Sequence, residues 1–73
     1  MLFIKQMDRL KRMDLLIQHE CTGSPKEFAE KLSISESYLH KLIKDLRELY
    51  DAPISYSLKR ESYVYTSEYS LDF

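Results

Sequence analysis

Hydrophobic positions along the 73-residue chain recur with two periods, and the change from one to the other divides it into a helical body and a stranded end. Over residues 3 to 20, Phe3, Met7, Leu10, Met13, Leu16 and Ile17 fall on one stripe, with Lys5, Arg9, Lys11 and Arg12 around it. That spacing predicts an amphipathic helix. Leu2, Ile4 and Leu15 lie off the stripe, so the apolar surface is wider than one packing face needs. Those residues either cap a small core or form a self-association face. Thr22-Gly23 follows, and Gly23 is the expected left-handed residue that closes the helix. Cys21 then reads as a small buried hydrophobe. Ser24, Pro25 and Glu27 supply a capping box with proline at the first helical position, which starts a second helix at Pro25. Phe28, Ala29 and Leu32 carry its apolar stripe for about two turns before Ser33-Ile34-Ser35 breaks the pattern. Ser35 is the next N-cap. From Glu36, Leu39, Leu42, Ile43, Leu46, Leu49 and Tyr50 repeat with helical period, leaving Ser37, Tyr38, His40, Lys41, Lys44 and Arg47 on other faces. Residues 24 to 50 thus read as two helices joined by a tight corner, with a polar second helix.

Asp51-Ala52-Pro53 stops the third helix, and the period falls to two. Ile54-Ser55-Tyr56-Ser57-Leu58 alternates as a half-buried strand does, and Ser62-Tyr63-Val64-Tyr65-Thr66 is its partner across residues 54 to 66. A turn centred on Arg60-Glu61 pairs Leu58 with Tyr63 and Tyr56 with Tyr65, and sets Ile54 on the same core-covering face. No Gly or Asn stands at the tip, so a four-residue loop competes with the two-residue turn. In the tail, residues 67 to 73, Tyr69, Leu71 and Phe73 alternate strictly, which predicts one more short strand along the core or across a dimer seam.

The length suits one domain with a single small core. With 44% apolar residues and one glycine the chain is expected to fold, not to stay disordered. The lone Cys21 excludes an internal disulfide and a cysteine-based zinc cluster, so no metal or other cofactor is expected and a reducing cytoplasmic setting fits. The apolar opening is too short for a membrane span. A formal net charge of −1 argues against nucleic acid, yet residues 1 to 60 hold all eleven basic residues against nine of the twelve acidic ones, a balance of +2. Glu61, Glu68 and Asp72 supply the rest of the acid at the end.

The stretches KEFAEKLSISESYLHKLIKDLRE and APISYSLKRESYVY resemble the winged helix-turn-helix of the DeoR-like and biotin-repressor-like families of bacterial regulators. Ala29, Leu32, Ile34, Ser35, Leu39, Ile43 and Leu46 stand in the families' register, and the likeness covers about residues 7 to 66. Ser33 stands where such turns usually carry Gly or Asn, and Glu36-Ser37 stands where relatives often carry a basic residue. The resemblance implies an α+β fold, three helices with a C-terminal β-hairpin wing, and a transcriptional regulator that binds double-stranded DNA.

In that fold the second helix of the motif enters the major groove, which makes Ser37, Tyr38, His40 and Lys41 the base-edge candidates. Lys44, Lys59 and Arg60 are placed for the phosphate backbone, as is Ser35 through its amide. A solvated face with a Lys41 to Asp45 pair is the plainer reading of the same helix. His19 and His40 read as surface or packing histidines. No phosphate loop, zinc motif or nucleophile elbow appears, so no catalytic residue and no small-molecule ligand is expected. A rival of a different class is a winged helix used as a protein-interaction module, through the tyrosine-rich hairpin and acidic tail. The surplus apolar surface of helix one and the tail also predicts a homodimer.

Overall fold

A computed structural model describes the backbone of residues 2–71 and the side chains of residues 6–71. The expected contributions of the Leu2, Phe3, Ile4 and Phe73 side chains lie outside the described residues. Within them the chain forms α1 (Leu2–Gln18), α2 (Pro25–Leu32), α3 (Glu36–Leu49), β1 (Ile54–Ser57) and β2 (Ser62–Tyr65). The order is three helices and then a two-stranded antiparallel hairpin, the α+β arrangement of a winged helix. Leu10, Met13 and Ile17 of α1 meet Phe28, Ala29 and Leu32 of α2 and Leu39, Leu42, Ile43 and Leu46 of α3 in one core. Ala52, Ile54 and Tyr63 close it from the hairpin side. No described helix is long and apolar enough to cross a membrane.

α1 stops two residues earlier than its periodicity predicts, and Gly23 is not what stops it. Glu20 takes the left-handed conformation at φ 54°. The Cys21 amide then donates to the Leu16 carbonyl and the Glu20 amide to Ile17, both at 3.0 Å, which satisfies the last carbonyls of the helix. The tight reversal carries Cys21 outward, so its thiol is exposed and not buried. Gly23 serves α2 instead. At φ +75° it precedes the N-cap, and a Cβ there would meet Glu27 Cβ at 3.0 Å. Its missing side chain leaves room for Glu27 Oε1 to accept from the Ser24 amide at 3.0 Å, while Ser24 Oγ accepts from the Glu27 amide at 3.2 Å. Those bonds from Ser24, backbone first, hold the Glu27 carboxyl below the usual carboxylate range.

The corner between α2 and α3 repeats the Glu20 device with Ser33, at φ 58°. The Ile34 amide reaches back to the Ala29 carbonyl at 3.0 Å, and Ile34 packs against the core. A residue with a Cβ is strained in this region, so Ser33→Gly is expected to raise stability by about 0.5–1 kcal/mol. The check is a higher urea midpoint at unchanged slope. Ser35 then caps α3, its Oγ accepting from the Tyr38 amide at 3.1 Å.

The hairpin register differs from the sequence expectation by two residues. Ile54 pairs with Tyr65, Ser55 with Val64, Tyr56 with Tyr63 and Ser57 with Ser62. A slip of two keeps every side chain on its face, so Ile54, Tyr56, Tyr63 and Tyr65 still lean on the helices. Leu58 loses its place: it stands beyond the last pair, 85% exposed, at the start of a four-residue loop. Thr22 fixes this register. Its amide donates to Ser62 Oγ at 3.0 Å, and its Oγ1 accepts from the Tyr63 amide at 2.9 Å, all within the interior. Two hydroxyls thereby stand in for ladder bonds from a neighbouring strand. Thr22→Val keeps the shape but leaves the buried Tyr63 amide without its acceptor. The expected cost is about 2 kcal/mol, read as a lower urea midpoint.

No strand forms in residues 67–71, contrary to the alternation there. The tail instead folds back on its own chain through polar anchors. Tyr69 Oη donates to the Tyr50 carbonyl at 2.6 Å, and the Leu71 amide donates to Asp14 Oδ1 at 3.2 Å. Tyr69 and Leu71 are thus occupied within one copy, and of the surplus surface offered for a homodimer the described side chains leave Leu15, 54% exposed. Two more periodic positions also face out, Leu49 at 75% and Tyr50 at 45% exposure. Both stand at the end of α3, beyond its last buried residue Leu46, whose carbonyl accepts from the Ala52 amide as the chain leaves for β1.

Candidate nucleic-acid interface

α3 buries Leu39, Leu42, Ile43 and Leu46, and the helical period puts Ser37, Lys41, Lys44 and Glu48 on the line most directly opposite. His40 flanks that line, three residues from Ser37, and all five side chains are exposed. The ridge is therefore polar for about three turns. Lys44 has no ion-pair partner among the described residues. Lys41 does: its Nζ lies 3.3 Å from Asp45 Oδ2, the i,i+4 pair of the plainer reading. That pair is exposed and easily exchanged for another anion.

Tyr38 is placed differently from the other base-edge candidates. It is half-buried against the core, and its hydroxyl donates to Gln6 Oε1 at 3.3 Å. The Arg9 guanidinium lies 5.6 Å from the ring centroid and donates to the same Gln6 oxygen at 2.9 Å. Tyr38 therefore braces α3 on α1. Ser37, His40 and Lys41 come together on the ridge, and Tyr38 stands beside it.

Ser35 is exposed at the start of α3, with its hydroxyl used as the cap. In the hairpin loop Lys59 is exposed and has no ion-pair partner among the described residues, whereas Arg60 is held. The Arg60 guanidinium lies 3.2 Å from Glu20 Oε1, which ties the loop to the end of α1. Arg47, near the end of α3, donates from Nε to the Ile54 carbonyl at 3.0 Å and fixes the hairpin to α3.

Several groups near this surface escape sequence reasoning. Glu48 continues the Ser37–Lys44 line and sets a carboxylate on it, a placement that the helical period does contain. Lys26, exposed in the first turn of α2, is a further cation beside the motif. Arg9 and Arg12 line an open groove of about 300 Å³ with Asp8, Leu32 and Ser33, beneath the corner of the motif. Nothing local signals that groove, since it joins positions more than twenty residues apart. The Glu20 partner of Arg60 is equally remote in sequence. A scan against protein-family models, a search of curated proteins and a search of solved structures each found no match for this chain.

Proposed function

We propose that the chain binds double-stranded DNA in a sequence-specific way and acts as a transcriptional regulator, with α3 in the major groove and the hairpin loop over the phosphate backbone. The observation that carries this reading is the α3 ridge. Ser37, His40, Lys41 and Lys44 present hydroxyl, imidazole and ammonium groups side by side on the outer face of a short-cornered helix pair. A helix of this width fits the major groove, and such groups donate to base edges and phosphates there. Ser37, His40 and Lys41 take the base-edge role, with Lys41 exchanging Asp45 for guanine O6 and N7. Lys44 and Lys59 hold phosphate, joined by Lys26 and by the Ser35 end of α3.

A second reading has its own observation. Leu49 and Tyr50 expose apolar surface at the end of α3, and Glu48 opposes phosphate on the same ridge, which suits a protein partner. A titration against a selected duplex pool and against random duplex, each at two salt concentrations, separates the two. DNA binding is expected to weaken linearly in log–log form, by about 0.9 per phosphate contact. An absence of binding to either pool at about 50 mM salt removes the DNA reading and leaves the protein-interaction one.

A further inference from the structure

We infer that the hairpin loop is a minor-groove wedge: Leu58 enters between two base pairs beside the site that α3 reads, and Lys59 rests on the adjoining phosphate. The inference rests on the DNA reading and adds to it a role for an apolar side chain. At 85% exposure Leu58 is the most exposed of the large hydrophobic residues described. It belongs to no packed face, because the ladder ends at the Ser57–Ser62 pair.

The loop that carries it is held on both sides. The Arg60 amide donates to Ser57 Oγ at 3.2 Å, and the Glu61 amide to the Leu58 carbonyl at 3.3 Å. Glu61 takes the left-handed conformation at φ 52°, and the exposed Arg60–Glu20 pair adds a weak contact between the loop and α1. These attachments present Leu58 outward on a constrained tip and spare it the ordering cost that a loose loop would meet on binding. An isobutyl group kept in water gains nothing for the free chain, whereas burial against base faces returns its transfer free energy.

The chemistry beside it selects the partner. Apolar wedges that part a base step work with cations on the flanking backbone, and Lys59 is the adjacent cation without an ion-pair partner. Arg60 shares its charge with Glu20, and Glu61 places a carboxylate in the same loop as Lys59. Glu61→Gln is therefore expected to tighten DNA binding. Flexible pyrimidine–purine steps flanking the α3 site are the sequences most easily opened.

The test uses the full chain and a duplex selected for binding, with 2-aminopurine placed in turn at each pyrimidine–purine step. Wild type is expected to raise fluorescence at one flanking step, as an unstacked base does. Leu58→Ala should abolish that rise and weaken binding about tenfold, with the order of preference among α3-site variants unchanged. Leu58→Met, which keeps length and apolarity, should retain both. The exposed position makes loss of folding an unsuitable explanation, and a helical spectrum checks it. Specific binding by wild type with no step unstacked, or with Leu58→Ala indistinguishable from it, overturns the wedge and leaves the DNA reading standing. Failure of wild type to bind any duplex removes that reading itself, and the wedge with it.

Discussion

Asp14→Ala is expected to destabilise the chain by about 3 kcal/mol, a large part of what a domain of this size possesses. Asp14 is 7% exposed, on the inward side of α1. Its carboxylate accepts from Tyr65 Oη at 2.6 Å, from the Leu71 amide at 3.2 Å and from Gln18 Nε2 at 2.7 Å. One side chain thereby joins α1, β2 and the tail. Its removal leaves three donors without their acceptor, and the Tyr65 hydroxyl and the Leu71 amide are part-buried. Asp14→Asn keeps an oxygen for Tyr65 and Leu71 and needs only a turned Gln18 amide, so its expected cost is about 1 kcal/mol. Urea midpoints of the two variants, with the slope unchanged, check both values. A loss below about 1 kcal/mol for the alanine variant would show that water replaces the carboxylate freely.

The same contact gives stability an alkaline limit. The Tyr65 hydroxyl is held well above the ordinary tyrosine range, first because burial disfavours the phenolate and then because Asp14 accepts a hydrogen bond from it and faces it with negative charge. A group whose folded-state pKa is raised keeps its proton longer when folded than when unfolded. Its contribution is thus complete below the unfolded value, about 10, and is lost as pH rises beyond it. Burial raises the Tyr63 hydroxyl as well, opposed by Arg47, and adds in the same direction. Tyr65→Phe should flatten the decline of the urea midpoint above about pH 10, since Phe has no proton to lose.

What the sequence made legible was local. The Ser24-Pro25-Glu27 start of α2, the Ser35 cap of α3 and the buried positions of both helices as far as Leu46 follow from chemistry within a few residues, whereas Leu49 and Tyr50 continue the α3 period and face out. The hairpin's faces were legible because strand parity is local too. Its register was not: with no Gly or Asn to mark the turn, the loop length depends on Glu61 accepting a left-handed φ and on Thr22, forty residues away, seizing Ser62. The outward Leu58 follows from that. Gly23 misled because its positive φ serves the Glu27 cap, while Glu20 ends α1 without glycine. Asp14 was available in the spacing Leu10, Asp14, Ile17, which sets an acid on a buried stripe and asks for a donor. The donor itself lies in β2, where no pattern reveals it. For the ridge of α3, periodicity named the exposed residues; Tyr38 departed because Gln6 and Arg9 of α1 were there to take it.

Charge reversal at Lys44 is expected to have the largest effect on DNA binding, a loss of about a hundredfold at low salt. Lys44 is exposed, lies on the outermost line of α3 and has no ion-pair partner among the described residues, so no internal bond compensates its replacement. Lys44→Ala should cost about tenfold on selected and random duplex alike and reduce the log–log salt slope by about 0.9, the signature of one lost phosphate contact. Lys44→Glu adds repulsion to that loss. Glu48, one turn further on the same line, acts in the opposite sense, and Glu48→Gln is expected to tighten binding a few-fold on every sequence. None of these changes touches a buried side chain, so the helical spectrum and urea midpoint should stay at wild-type values. The measurement is fluorescence anisotropy with a selected duplex and a random one, each at two salt concentrations. If Lys44→Ala weakens only the selected duplex and keeps the slope, Lys44 reads a base and the helix sits deeper in the groove. If Lys44→Glu binds as wild type does, this ridge does not face DNA, and the apolar end of α3 becomes the surface to test against a protein.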